Sequence, residues 1–75
     1  MEKKIEAVVI STPFIKLDSF LKFAGAAETG GQAKELVQGE DVLVNGEICT
    51  MRGKKLRPGD TVDVRGRVFS VEGER

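Results

Sequence analysis

Histidine, tryptophan and tyrosine are absent from this 75-residue sequence, and cysteine occurs once. Without histidine no side chain titrates near neutrality in its ordinary state, and the usual zinc ligand sets cannot be assembled. The lone Cys49 has no internal partner for a disulfide, which suits a reducing cytoplasm. It falls in an apparent strand with no activating neighbour, so a nucleophilic role is not expected. No Gly-x-Gly-x-x-Gly follows a strand and no Gly-Lys-Ser/Thr closes a phosphate loop, so neither nucleotide fingerprint is present. The expectations are no enzyme, no cofactor, no metal and no small-molecule substrate. Long apolar runs are missing too. At the N-terminus the longest is Ala7-Val8-Val9-Ile10, far short of the roughly 20 residues a membrane span needs and unlike a signal core. A cytoplasmic protein with no membrane partner is expected. Net charge is likewise absent, with 12 basic and 12 acidic residues.

What is present fits one domain. Apolar residues make up 40% of the chain, enough for a single core and too many for a disordered tail. That core consumes most of them, so a monomer is expected. Residues 3–10 mix charged and β-branched types with partial alternation and read as a strand, broken by Ser11-Thr12-Pro13. Leu17, Phe20, Leu21 and Ala24 fall at i, i+3, i+4 and i+7, the stripe of a short amphipathic helix. Asp18 favours its first turn and Gly25 its end. Thr29-Gly30-Gly31-Gln32 fits a capping box, with Gln32 expected to reach back to the Thr29 amide. Ala33, Leu36 and Val37 make the inner face of a second helix closed by Gly39. From there the period becomes two. Asp41 to Val44 and Glu47 to Cys49 flank Asn45-Gly46, a strong hairpin signal. Met51 to Lys55 reads as a cationic loop, and Arg57-Pro58-Gly59-Asp60 as a turn. Thr61 to Val64 and Val68 to Val71 read as strands around Arg65-Gly66. The order predicts an α+β domain, two short helices packed on a small, mostly antiparallel sheet. Phe20 belongs to the helical stripe. Phe14, Phe23 and Phe69 are scattered, form no paired stacking platform, and are expected in the core.

The segments Ile15-Lys16-Leu17-Asp18, Phe20-Leu21, Gln32-Ala33-Lys34-Glu35-Leu36-Val37, Val42-Leu43-Val44-Asn45-Gly46-Glu47 and Gly59-Asp60, in this order and spacing, resemble the S4-like RNA-binding domain. Glu28-Thr29-Gly30-Gly31-Gln32-Ala33-Lys34 and the stretch from Arg52 to Asp60 look most like small bacterial proteins that consist of this domain alone. The likeness covers roughly residues 15–64, within a single domain spanning 1–75. It implies an αL-type fold, two helices followed by a β-ribbon, that binds structured RNA without doing chemistry. Structured ribosomal RNA or a ribosome-assembly intermediate is the partner it points to. Two positions depart from the family pattern. The second helix opens with Thr29-Gly30 where the family commonly has Ser-Arg. Glu40 stands where the family tends to place a glycine, two residues before Val42.

Charge distribution supports the same expectation. Between Arg52 and Arg67 stand six basic residues (Arg52, Lys54, Lys55, Arg57, Arg65, Arg67) against two acids (Asp60, Asp63), a surplus of four positive charges that the rest of the chain offsets. Such a molecule can orient an anion despite zero net charge. Arg52, Lys54, Lys55 and Arg57 place four cations in six residues around Gly53, suited to closely spaced phosphates. Thr29, Gly30 and Gly31 could expose first-turn amides to a phosphate, or serve only as a cap and tight turn. Lys34 and Lys16 could widen the cationic surface, with Lys22 a weaker candidate, and Arg65 and Arg67 could equally guard an edge hairpin. The carboxylates Glu40-Asp41, Asp60 and Asp63 read as solvated turn and surface groups. The competing expectation is an adaptor that meets an acidic protein partner through the same cationic face. In either case the basic loop is expected to meet the N-terminus of the second helix.

Overall fold

A computed structural model describes residues 4–74. Strands β1 (Ile5–Ile10) and β2 (Ile15–Lys16) precede helices α1 (Leu17–Phe23) and α2 (Gly30–Gln38). Five strands follow: β3 (Val42–Val44), β4 (Glu47–Ile48), β5 (Lys55–Leu56), β6 (Thr61–Val64) and β7 (Arg67–Gly73). The fold is α+β, as the pattern of elements predicts. The main sheet runs β1-β7-β6-β3-β4, and β2 pairs with β5 in a separate two-stranded ladder. Every pairing is antiparallel except β1 with β7, which brings the two ends of the domain together in parallel. The expected start of β1 at Lys3 lies outside the described residues.

Alternation along the strands decides which face is dry. Ile10, Val42, Val44, Val62, Val64, Phe69 and Val71 are buried, and their neighbours in sequence are half-buried or exposed. The helices supply the other wall through Leu17, Phe20 and Leu21 from α1 and Ala33, Leu36 and Val37 from α2. Phe20 meets Phe69 edge-on, with ring centroids 6.0 Å apart, the arrangement that sets a positive ring edge against a negative face. Phe69 thus has the core role expected of it. Phe14 and Phe23 do not, at 37% and 62% exposure. Phe23 stands two residues beyond the buried Leu21 and off the i, i+3, i+4 stripe, while Phe14 precedes the helix altogether.

Each helix ends in the same device. The amide of Ala26 bonds the Leu21 carbonyl and that of Gly25 bonds the Lys22 carbonyl, with Gly25 at φ +81°, a Schellman motif. At the end of α2 the amide of Asp41 bonds Leu36 and that of Glu40 bonds Val37. The left-handed residue there is Glu40, at φ +61°, and Gly39 remains at φ −81°. Gly39 closes α2 as expected but for a different reason. A Cβ on it would come within 2.9 Å of the Glu35 carbonyl oxygen. At the start of α2 the Thr29 hydroxyl accepts from the Gln32 amide at 3.1 Å, as the capping box requires. The return bond is displaced by one residue, because Gln32 Oε1 accepts from the Glu28 amide, not from Thr29.

Both glycine turns form as read. Asn45 and Gly46 have φ of +52° and +85°, and Arg65 and Gly66 have +49° and +92°, the double left-handed signature of two-residue hairpins. Gly59 at φ +102°, with the Asp60 amide bonded to the Arg57 carbonyl, makes the turn after Pro58.

Candidate nucleic-acid interface

The basic loop is held from below. β5 lies in the ladder with β2, pairing Ile15 with Leu56 and Lys16 with Lys55. Leu56 is completely buried, so burial of its side chain anchors the loop to the core by roughly 1.5–3 kcal/mol. Lys55, expected in the loop, is therefore a strand residue. The loop also closes the start of α1. No side chain caps that helix; instead the amides of Leu17 and Asp18 donate to the carbonyls of Lys54 and Arg52, at 2.8 and 3.1 Å. These are orphan donors of a helix's first turn, and the cationic loop satisfies them with its backbone. The bonded contact of the loop is thus with the first helix.

With its carbonyls turned inward, the loop presents its side chains to solvent. Arg52, Lys54, Lys55, Arg57 and Lys16 are all exposed. Among the described residues none of the five forms an ion pair. Lys54, Lys55 and Arg57 line one groove together with Asn45, Met51 and Asp60. Asp60 lies in reach of these cations but is otherwise engaged. Its two oxygens accept from the Arg57 amide at 2.8 Å and from Asn45 Nδ2 at 3.2 Å. Asp18 Oδ1 likewise accepts from the Ser19 amide. The pairing of Lys16 opposite Lys55 sets two like charges across a ladder, which is destabilising. The ammonium of Lys55 over the Phe14 ring, 4.8 Å from its centroid, gives back part of that cost.

The other two arginines of the basic segment behave differently. Arg65 bonds Asp41 at 2.9 Å, and Arg67 bonds Glu6 at 3.1 Å while lying over the Phe69 ring. They border a second groove with Gln32, Glu35 and Leu36 of α2. Thr29, Gly30, Gly31 and Lys34 belong to the exposed start of that helix. Among the described residues the Gly30 and Gly31 amides donate no hydrogen bond, Lys34 forms no ion pair, and no hydrogen bond joins these residues to the basic loop. The residues singled out from sequence thus lie on two parts of the fold: Lys16, Arg52, Lys54, Lys55 and Arg57 on the β2–β5 ladder and its flanking loops, and Thr29, Gly30, Gly31 and Lys34 at the start of α2.

Sequence reasoning assigned no site role to Asn45, Ile48 or Met51. The Asn45 side chain ties the β3–β4 turn to the Pro-Gly turn, donating to Asp60 and accepting from the Thr61 amide at 3.0 Å. Its appearance in Asn-Gly had a sufficient explanation in the turn. Ile48 and Met51, 58% and 65% exposed, carried only the general signal of apolar residues in a strand and a loop.

No described helix is long and apolar enough to cross a membrane, and no cluster of three or more potential metal ligands occurs among the described residues. The S4 domain profile matches residues 8–72. A protein described as "Probable ribosome maturation protein RlbA", from Bacillus subtilis (strain 168), is 42% identical over 59 residues, 79% of this chain and 83% of the relative. The small ribosomal subunit protein uS4 of Coxiella burnetii (strain RSA 493 / Nine Mile phase I) is 35% identical over 52 residues, 69% of this chain but only 25% of that larger protein. The crystal structure of a pseudouridylate synthase superposes with a TM-score of 0.68 at 21% identity, covering 75% of this chain and 24% of the enzyme. That likeness concerns the fold alone. With a family match spanning nearly all of the described residues and both helices and the ribbon in place, the chain belongs to the S4 domain family.

Proposed function

We propose that this protein binds structured RNA without catalysing a reaction, and that the RNA is ribosomal or part of a ribosome-assembly intermediate. The observation that carries the reading is a set of five exposed cations, Lys16, Arg52, Lys54, Lys55 and Arg57, left without acidic partners among the described residues on the β2–β5 ladder and the loop beside it, two of whose carbonyls are bonded to α1. Phosphates spaced along an RNA strand supply the missing counter-charge, and arginine forks can bond phosphate oxygens in pairs. Thr29, Gly30, Gly31 and Lys34 form a second contact, where the free amides of Gly30 and Gly31 receive a phosphate. The ribosomal part of the proposal draws on the names of the relatives, one a ribosome maturation protein and another a component of the small subunit. The proposal extends to a cytoplasmic protein that acts as a monomer.

The test is affinity for a folded ribosomal RNA fragment as a function of salt. If all five cations contact phosphates, log affinity falls with log salt at a slope of about −4. A flat salt response would overturn the reading. Co-purification before and after complete nuclease digestion separates RNA from an acidic protein partner. Loss of ribosomal subunits on digestion supports RNA; partners that survive it favour the adaptor.

A further inference from the structure

A second recess adjoins the cationic groove and shares Asn45, Met51 and Lys54 with it. Its character is different. Val44 is buried, Cys49 is half-buried, and Ile48 and Met51 stand at its walls, more than half exposed. Large apolar side chains left in water next to a cluster of unpaired cations mark a surface made for an amphipathic ligand, apolar on one part and anionic on another. Glu47 also lines the recess, and its carboxylate forms no hydrogen bond or ion pair among the described residues, even with Lys54 beside the same recess.

These features sort the parts of a nucleotide. A phosphate belongs near Lys54, Lys55 and Arg57, and Glu47 would repel it from the apolar side. A nucleobase suits that side. Its flat face can lie on the thioether of Met51 and the branched chain of Ile48, since sulfur contacts with aromatic rings are favourable. Its polar edge then meets a carboxylate, which only accepts hydrogen bonds. Guanine offers two adjacent donors, N1–H and the exocyclic amine, that match the two carboxylate oxygens. A base inside a continuous helix shows neither its face nor that edge, so the nucleotide must be unpaired.

We propose that the recess bounded by Glu47, Ile48 and Met51 receives an unpaired guanine whose flanking phosphates lie on the groove of Lys54, Lys55 and Arg57. The inference rests on the RNA-binding reading above and adds base recognition to it. The experiment measures fluorescence anisotropy of the full chain with three labelled hairpins: a fully paired stem, the same stem with one bulged guanosine, and the same stem with a bulged adenosine. The guanosine bulge should bind about tenfold tighter than the paired stem, with the adenosine bulge between them. Ile48→Ser/Met51→Ser should erase the gain from either bulge, and Glu47→Gln should erase the preference for guanosine. The double serine variant should keep the affinity for the paired stem, Glu47→Gln should keep or modestly raise it, and both, because all three residues are exposed, should keep the circular dichroism spectrum. Equal affinity of the unaltered protein for paired and bulged stems would overturn the base subsite while leaving RNA binding intact. Equal gain from adenosine would overturn the choice of guanine. Binding to none of the three would defeat both readings.

Discussion

Two stretches of the chain carry the same kind of charge and use it in opposite ways. In the β6–β7 hairpin, Arg65 and Arg67 reach carboxylates that fold back to them from Asp41 and Glu6. In the loop leading through β5, Arg52, Lys54, Lys55 and Arg57 reach none among the described residues, and the nearby Asp60 and Asp18 have oxygens engaged by amide donors. The first pattern closes the domain, because Glu6 and Arg67 join its first and last strands. The second leaves repulsion that, among the described residues, only the Phe14 ring beneath Lys55 relieves in part. Local charge density alone does not mark a binding face; what counts is whether the fold has already neutralised it.

The largest expected effect breaks this contrast at the loop. Replacing Arg52, Lys54, Lys55 and Arg57 together by alanine should cost at least about 100-fold in affinity for folded RNA at moderate salt, with an unchanged circular dichroism spectrum. Retained affinity would move the binding face elsewhere. Next is the anchor beneath the loop: Leu56→Ala should destabilise the domain by about 3 kcal/mol, read by thermal or denaturant unfolding. In a domain of this size that is a large part of the total. A smaller effect of opposite sign is expected at the end of α2. Glu40→Gly relieves a left-handed non-glycine residue and should stabilise by about 1 kcal/mol, raising the melting temperature by roughly 4–8 °C without altering RNA affinity. It therefore separates stability from binding. Smallest of all, Arg65→Ala/Arg67→Ala should lower stability by at most about 1 kcal/mol, since both ion pairs are largely exposed, and leave RNA affinity within about twofold. A loss as great as that of the loop variant would show that the two regions act as one surface.

Legibility followed distance along the chain. Turns set by adjacent residues were readable, as Asn45-Gly46, Arg65-Gly66 and Pro58-Gly59 show, because a left-handed φ at those positions is a local property. The Thr29 cap and the stripes of both helices were readable for the same reason. The partners of Arg65 and Arg67 were not, lying 24 and 61 residues away. Nor was the β2–β5 ladder, a two-residue pairing with no periodicity to detect. The basic cluster was visible as composition, whereas its attachment to α1 depends on carbonyls, which every residue carries equally. Glu40 shows a subtler limit. Glycine is the residue that usually marks a left-handed position, and its absence there hid the motif although Glu40 adopts that conformation.

The two carbonyls that close α1 also set the terms on which the loop meets a ligand. Since Lys54 and Arg52 give their backbone oxygens to Leu17 and Asp18, part of the ordering of this segment belongs to folding and precedes any encounter. For the RNA proposed to bind here, association then has less disorder left to remove. Slow hydrogen exchange at the Leu17 and Asp18 amides in the free protein, little changed once RNA is added, is the signature of such rigidity.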